Sequence, residues 1–185
     1  MKEEKSSSTG ARVLGGLAFA AGLAVSLILG WVVFPTLLFS EKTQPINFSH
    51  TAHTDTECVD CHAFRADGTY AGIPKIDKCK ECHESAQGSS ESERILIEKY
   101  IQNGQEVPWL VYAWQPDNVY FSHAAHKAGD IECIRCHRDV QKEKLLPVFH
   151  QNRITGYSKT TMGMRECEDC HAERAVTNNC EMCHK

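Results

Sequence analysis

The sequence predicts a mainly α chain with extensive loops: a single N-terminal transmembrane helix, then a domain with little apolar core of its own. Three observations carry this. The run Val13–Ser40 extends for 28 residues without a charged side chain. The pattern C-x-x-C-H occurs five times downstream of it. The counts also close: the five sites consume all 10 Cys, and five of the 10 His lie outside them.

Residues 1–12 are short, polar and rich in Ser and charge, and are predicted to be a cytoplasmic tail. Residues 13–40 are the transmembrane helix, since a bilayer core needs about 20 helical residues. The run can cross with some tilt or leave the membrane near Pro35. Gly15, Gly16, Gly22 and Gly30 with Ala18, Ala20, Ala21 and Ala24 form a small-residue surface that suits packing on another membrane helix, or is simply lipid-compatible composition. A cleaved signal peptide has an apolar region of only about 7–15 residues, so a retained anchor is the better reading. Lys2, Lys5 and Arg12 precede the span, whereas Lys42 alone follows it closely. That bias puts the N-terminus in the cytoplasm and residues 41–185 on the extracytoplasmic (periplasmic) side of a single-pass cytoplasmic (inner) membrane protein.

The motifs carry the chemistry. Phe121–His137 reads FSHAAHKAGDIECIRCH, and Phe48–His62 repeats its frame as FSHTAHTDTECVDCH. The attachment pattern is Cys58/Cys61/His62, Cys79/Cys82/His83, Cys133/Cys136/His137, Cys167/Cys170/His171 and Cys180/Cys183/His184. Two thiols one helical turn apart can each form a thioether to a haem vinyl group, and the adjacent His then binds the iron. Structural zinc sites pair C-x-x-C units into closed tetrahedral sets and do not demand a His after every pair. The expected cofactors are therefore five c-type haems (iron). Five sixth ligands are then needed, and His50, His53, His123, His126 and His150 remain to supply them. Histidines at i and i+3 on a helix diverge by roughly 60°, so His123 and His126 suit two different irons better than one.

Residues 41–185 form the predicted pentahaem domain. With about 28 residues for each haem, its core must be largely haem, wrapped by short helices and loops. Ala63–Lys78 reads as a loop, with Gly68, Gly72 and Pro74. Glu84–Gly104 reads as a helix, with Ser89, Ser90 or Ser92 as cap, an apolar face of Ile95, Leu96, Tyr100 and Ile101, and Gly104 as stop. Val107–Phe121 (VPWLVYAWQPDNVYF) is either a hydrophobic cover over haems, the favoured reading, or a docking surface for a partner. Met162 and Met164 compete with His150 as the last ligand; a thioether there would raise that haem's potential. The formal charge is −4, and haem propionates add to it, which disfavours nucleic acid as a partner. There is no carboxylate pair, nucleophile–base set or phosphate loop, so no catalytic residues are expected: the cofactor does the chemistry, and the protein supplies ligands and spacing.

Pro45–His62, Gly72–His83, Ile97–His137 and Met162–His171 together resemble the membrane-anchored pentahaem cytochrome c subunit of alternative complex III, a class III multihaem type. The run Pro108–His123 is the most specific match, while Met164-Arg165-Glu166 stands where that family often has an aromatic residue. The resemblance implies an electron-transfer subunit rather than an enzyme in its own right. It would carry electrons from iron–sulfur clusters of a molybdoenzyme-like subunit, beside polytopic membrane subunits of a quinol-oxidising complex, to a cytochrome c or terminal oxidase. It also implies that the first His of each F-S-H-x-A-H frame binds the haem attached just downstream: His50 with His62, and His123 with His137. His53 and His126 would reach other haems, and His150 the remaining one. Two rivals stand beside this reading. One is an anchored multihaem quinol dehydrogenase feeding a periplasmic reductase, which would oxidise quinol by itself. The other is a terminal multihaem reductase, which needs an open iron position that five spare His argue against.

Overall fold

The computed structural model describes residues 3–184, with side chains from Gly10 onward. Lys2 lies outside the described residues, as does the side chain of Lys5, so their part in the charge bias is left to the sequence. The chain divides into two compact units: residues 1–40 with 151–156, and residues 41–150 with 157–185.

The first unit is built on helix α1 (Glu3–Ile28), a π-helical turn (Leu29–Val33) and helix α2 (Phe34–Leu38). Gly10–Leu38 is 29 residues long, with a mean hydropathy of 2.4 over its most apolar 18-residue stretch, long and apolar enough to cross a membrane. The helix runs on through Pro35 rather than ending there. A proline ring inside a helix clashes with the carbonyl four residues back and removes one N–H. The π turn absorbs this: Phe34 N–H donates to the Leu29 carbonyl, one residue further back than an α-helix would reach. Strand β1 (Phe39–Lys42) pairs with β2 (Phe149–Asn152) in a two-stranded sheet.

The second unit is a set of short helical pieces joined by loops. These are a 3-10 turn (His50–Ala52), α3 (Cys58–Cys61), α4 (Ile76–His83), α5 (Glu91–Ile95) continued by a π turn (Leu96–Ile101), α6 (His123–Ala128), α7 (Met164–Glu173) and α8 (Cys180–Cys183), with 3-10 turns at Cys133–Arg135 and Val140–Lys142. Its polypeptide core is small. Ile46, Ile76, Leu96, Tyr100 and Val107 form one buried cluster, with Cys79, Ile95, Ile101 and Trp109 packed against it. The helix predicted after the serines forms, and Ser90 is its cap: Ser90 Oγ accepts from Glu93 N–H at 3.1 Å. Leu96 and Tyr100 face the core, and Gly104 ends the segment at φ +59°, a left-handed conformation that glycine adopts without cost.

Two loops gain definition. Of the predicted loop Ala63–Lys78, the first part folds into a small hairpin with a Phe64–Ala71 bridge, and Ile76–Lys78 already form the first turn of α4. The hairpin tip, Gly68 at φ +71°, touches α6 so closely that a Cβ there would lie 2.9 Å from Ala124 Cβ. Val107–Phe121 divides in two: Val107 and Trp109 join the core as cover, whereas Trp114 and Tyr120 are exposed. Beyond them Val119 bridges to His184, and Tyr120 N–H donates to the Cys183 carbonyl at 2.7 Å, tying the C-terminal motif to this run.

Candidate functional site

All five C-x-x-C-H segments lie in the second unit, each on a helical turn. His62 N–H donates to the Cys58 carbonyl, His137 N–H to Cys133 and His184 N–H to Cys180, at 2.8, 2.9 and 2.9 Å. That one turn sets the two thiols and the histidine of a motif in a common orientation. None of the ten cysteines is joined to another in a disulfide. Burial raises the Cys79, Cys136 and Cys167 thiols above their ordinary value, as it does Cys58 together with the adjacent Cys133 thiol. Nucleophilic or metal-bound cysteines need the opposite, a lowered pKa.

The second motif treats its two thiols unequally, although the sequence pattern assigns them the same role. Cys79 packs against the buried cluster around Ile76, which fixes its place on α4. Cys82, three residues on along the same helix, is exposed. The polypeptide thus brings Cys82 into no cluster with the other predicted site residues, and its expected part in holding a haem rests on the C-x-x-C-H spacing. The two positions lie about 60° apart around the helix, and the buried cluster reaches only the first of them.

The histidines outside the motifs meet those inside them across long stretches of chain. The rings of His123 and His137 have centroids 6.3 Å apart with planes at 5°. His126 and His171 are 6.2 Å apart at 19°, and His53 and His83 are 6.1 Å apart at 55°. A metal–nitrogen bond of about 2.0–2.1 Å, with the ring centre about 1.1 Å behind the nitrogen, sets two imidazoles on opposite sides of one metal at about 6.3 Å between centroids. The donor sets fit the same chemistry. Among the described residues no three or more His, Cys, Asp or Glu gather as a metal site; each histidine pair would supply two nitrogen ligands to a haem iron, whose remaining ligands would come from the porphyrin.

The local sequence explains how the rings are held. In both repeats one phenylalanine orients two histidines. Phe121 lies parallel to His126 at 4.5 Å and edge-on to His123 at 4.6 Å. Phe48 lies parallel to His53 at 4.6 Å and edge-on to His50 at 4.9 Å. The serine that follows supplies its carbonyl: His126 Nδ1–H donates to Ser122 O at 2.8 Å, and His53 Nδ1–H to Ser49 O at 2.9 Å. Ser122 Oγ also caps α6 by accepting from Ala125 N–H. The hairpin supplies the next contact, where His123 Nδ1–H donates to Thr69 O at 2.8 Å. His62 Nδ1–H donates to Gly72 O at 2.9 Å, and His184 Nδ1–H to Asn118 O at 3.2 Å. A bond donated from Nδ1 fixes the tautomer and leaves the Nε2 lone pair free to bind a metal.

His83 is held differently. Its Nδ1–H donates to the carboxylate of Glu93 at 2.8 Å. Glu93 Oε1 also accepts from Gln87 N–H at 2.7 Å, and Oε2 from Gly88 N–H at 2.9 Å. These bonds, Gln87 foremost, hold the Glu93 carboxyl below its ordinary value against a smaller opposing cost of burial.

The remaining histidines are less fully partnered. Burial, then the neighbouring His62 imidazole, lowers His50, while Glu143 opposes. His50 Nδ1 and Glu143 Oε2 are buried without hydrogen-bond partners. His150 Nδ1 stands 3.9 Å from Glu41 Oε1, and no ring contact among the described residues joins His150 to His184. Met164 is largely exposed, and Met162 contributes its carbonyl to Gln115.

Sequence reasoning passed over Phe48, Phe121 and Glu93. For the phenylalanines the repeated frame was the available signal. For Glu93 it was Ser90-x-x-Glu93, a capping-box pattern whose glutamate ordinarily returns to the cap's own N–H.

The sequence pattern of the class III cytochrome c family matches residues 35–106. A curated protein of Nitratidesulfovibrio vulgaris (strain Hildenborough), described as a menaquinone reductase, multihaem cytochrome c subunit, is 44% identical over 190 residues, covering 92% of this chain and 90% of its own length.

Proposed function

The chain belongs to the class III multihaem cytochrome c family, and from this we propose that it is the electron-carrying subunit of a membrane-bound menaquinone reductase. The observation that carries the reading is the three histidine pairs at 6.1, 6.2 and 6.3 Å, each joining a motif histidine to one outside the motifs. Bound haem supplies reversible one-electron chemistry at its iron. The chain's own residues attach it, orient its ligands and set distances between neighbouring sites.

In this reading Cys58/Cys61, Cys79/Cys82, Cys133/Cys136, Cys167/Cys170 and Cys180/Cys183 attach five haems, and His62, His83, His137, His171 and His184 are the proximal ligands. His53 completes the His83 site, His123 the His137 site and His126 the His171 site. His50 completes the His62 site, supported by the electrostatic influence of His62 on His50. His150 is assigned to the His184 site by elimination.

Contacts between attachment segments support a path that runs second, first, third, fourth, fifth rather than in chain order. Cys58 and Cys133 share a side-chain hydrogen bond, and electrostatic influence links Cys79 to Cys61, Cys136 to Cys170 and Cys167 to Cys183. Arg135 Nη2 meets Glu173 Oε2 at 2.8 Å between the third and fourth motifs, and Asn178 Nδ2–H donates to Glu168 O at 2.9 Å between the fourth and fifth.

Residues 13–40 would anchor this domain on the extracytoplasmic face, with residues 1–12 in the cytoplasm, beside membrane subunits that handle the quinone. A reductase passes electrons from an extracytoplasmic donor through the haem sites to menaquinone. The reverse arrangement is the second reading: an iron–sulfur subunit feeds the haems, and a cytochrome c or oxidase receives the electrons. The run Pro108–His123, with its resemblance to alternative complex III, favours it. Purification from the native membrane in mild detergent separates the two. The first expects reduced haem to be reoxidised by a menaquinone analogue in the co-purified complex. Quinol-driven reduction of a co-purifying cytochrome c or oxidase, with no quinone reduction, would sink it.

A further inference from the structure

We propose that Glu93 is a positioning residue that sets the redox potential of the His83 haem site: it gives the His83 imidazole an anionic character that the other sites lack. The inference rests on the assignment of His83 as a proximal ligand. A ligating histidine that donates its second N–H to a carboxylate becomes a more basic ligand than one bonded to a neutral carbonyl. Greater basicity favours the oxidised, more positive iron, and second-sphere hydrogen bonding is one of the protein's levers on haem potential.

The contrast lies within one molecule. The Nδ1–H groups of His53, His62, His123, His126 and His184 all donate to neutral backbone carbonyls. Among the described residues His83 alone has a carboxylate within hydrogen-bond distance, at 2.8 Å. His150 has its carboxylate at 3.9 Å, outside that range.

Glu93 is built in rather than passing by. Its side chain is 10% exposed and that of His83 is 18% exposed, so water screens the pair little. Both carboxylate oxygens are fixed by backbone N–H groups of the turn after α4, at Gln87 and Gly88. The turn approaches closely: a Cβ at Gly88 would lie 3.3 Å from Glu93 Oε2. The N-terminus of α5 then holds Glu93 from the other side through Ser90. A surface ion pair would show none of this anchoring. In the proposed path the His83 site also lies at one end, next to the first motif, whose Cys61 exerts an electrostatic influence on Cys79. A low potential at an end fixes the direction in which an electron moves spontaneously.

The test uses the full haem-loaded chain in detergent. His53→Ala opens the His83 site, so that in the reduced protein one haem becomes five-coordinate and its iron–histidine stretch is read by resonance Raman. Adding Glu93→Gln, which keeps the shape and the acceptor oxygen but removes the charge, should lower that frequency. An unchanged frequency overturns the proposal. Redox titration of Glu93→Gln alone should move one midpoint upward and leave the others where they were; five unmoved midpoints, or five equal shifts, also overturn it. Should Glu93→Gln fail to retain haem, Glu93→Asp must restore both haem content and the high stretching frequency, and restoration of haem without the frequency refutes the tuning. If His53→Ala yields no five-coordinate haem, it is the ligand assignment that fails, and the redox titration still decides the role of Glu93.

Discussion

Phe121→Ala should loosen two haem sites at once, and by a bounded amount. Phe121 contacts the rings of both His126 and His123, at 4.5 and 4.6 Å. An aromatic pair in such geometry contributes about 0.5–1.5 kcal/mol beyond its area burial. Loss of one contact per histidine therefore weakens each distal ligand by about 2- to 13-fold, at 1.36 kcal/mol for each tenfold change. Carbon monoxide competes with the distal histidine for reduced iron, so its affinity reports that weakening directly. In Phe121→Ala, two haems should bind carbon monoxide about 2- to 13-fold more tightly, and the other three as before. Phe48→Ala should do the same at the other pair of sites, through His50 and His53. Covalent haem content should remain unchanged in both. A uniform change over all haems, or none, would refute the idea that each phenylalanine orients its own two histidines.

Other perturbations separate the remaining contacts. His126→Ala should leave every haem attached and convert about one haem in five to a high-spin state, the one on His171 and not the one on His137, as read by electron paramagnetic resonance. Gly68→Ala combines φ +71° with a 2.9 Å approach to Ala124, so it should lower unfolding stability by about 1–3 kcal/mol and loosen His123, whose Nδ1 partner Thr69 sits in the same hairpin. Glu173→Gln removes an ion pair whose side chains are both more than half exposed, and the thermal midpoint should not move measurably. The Glu93 carboxyl is held below its ordinary value of 4.5, so its contribution is fully present above that pH and is lost as pH falls through the lower folded value. Acid unfolding of Glu93→Gln, followed by circular dichroism, should show a shallower loss over that interval than the parent chain.

Much of the haem machinery was legible because it is written in short local patterns. C-x-x-C-H is a single helical turn, and the turns at Cys58, Cys133 and Cys180 are closed by a hydrogen bond inside the motif itself. The pattern is silent on burial, which is why it could not separate Cys79, against the core, from the exposed Cys82. The helix from Glu91 was legible because Ser90 and the apolar spacing both act within a few residues. The i, i+3 spacing of His123 and His126 pointed to two metals, but the rings they approach, His137 and His171, lie in separate segments that only the folded chain brings close. Glu93 was hidden because its pattern is that of an ordinary capping box, and its carboxylate turns instead to Gln87, Gly88 and His83. The division of Val107–Phe121 escaped periodicity as well: Trp109 and Trp114 are equally apolar, and only the position of Ile46 and Ile76 decides which is covered. Nothing in the residues around Pro35 announced the π turn that lets the helix pass the proline.

The central claim is that ten cysteines and ten histidines are fully spent on five six-coordinate sites. Intact-mass measurement of the mature chain, paired with near-infrared magnetic circular dichroism of the oxidised protein, tests it most directly. The account predicts the mass of the chain, with its anchor, plus five covalent haems, and a ligand charge-transfer spectrum of bis-histidine type alone. A mass carrying fewer haems, or a band of histidine–methionine or high-spin type, would contradict it.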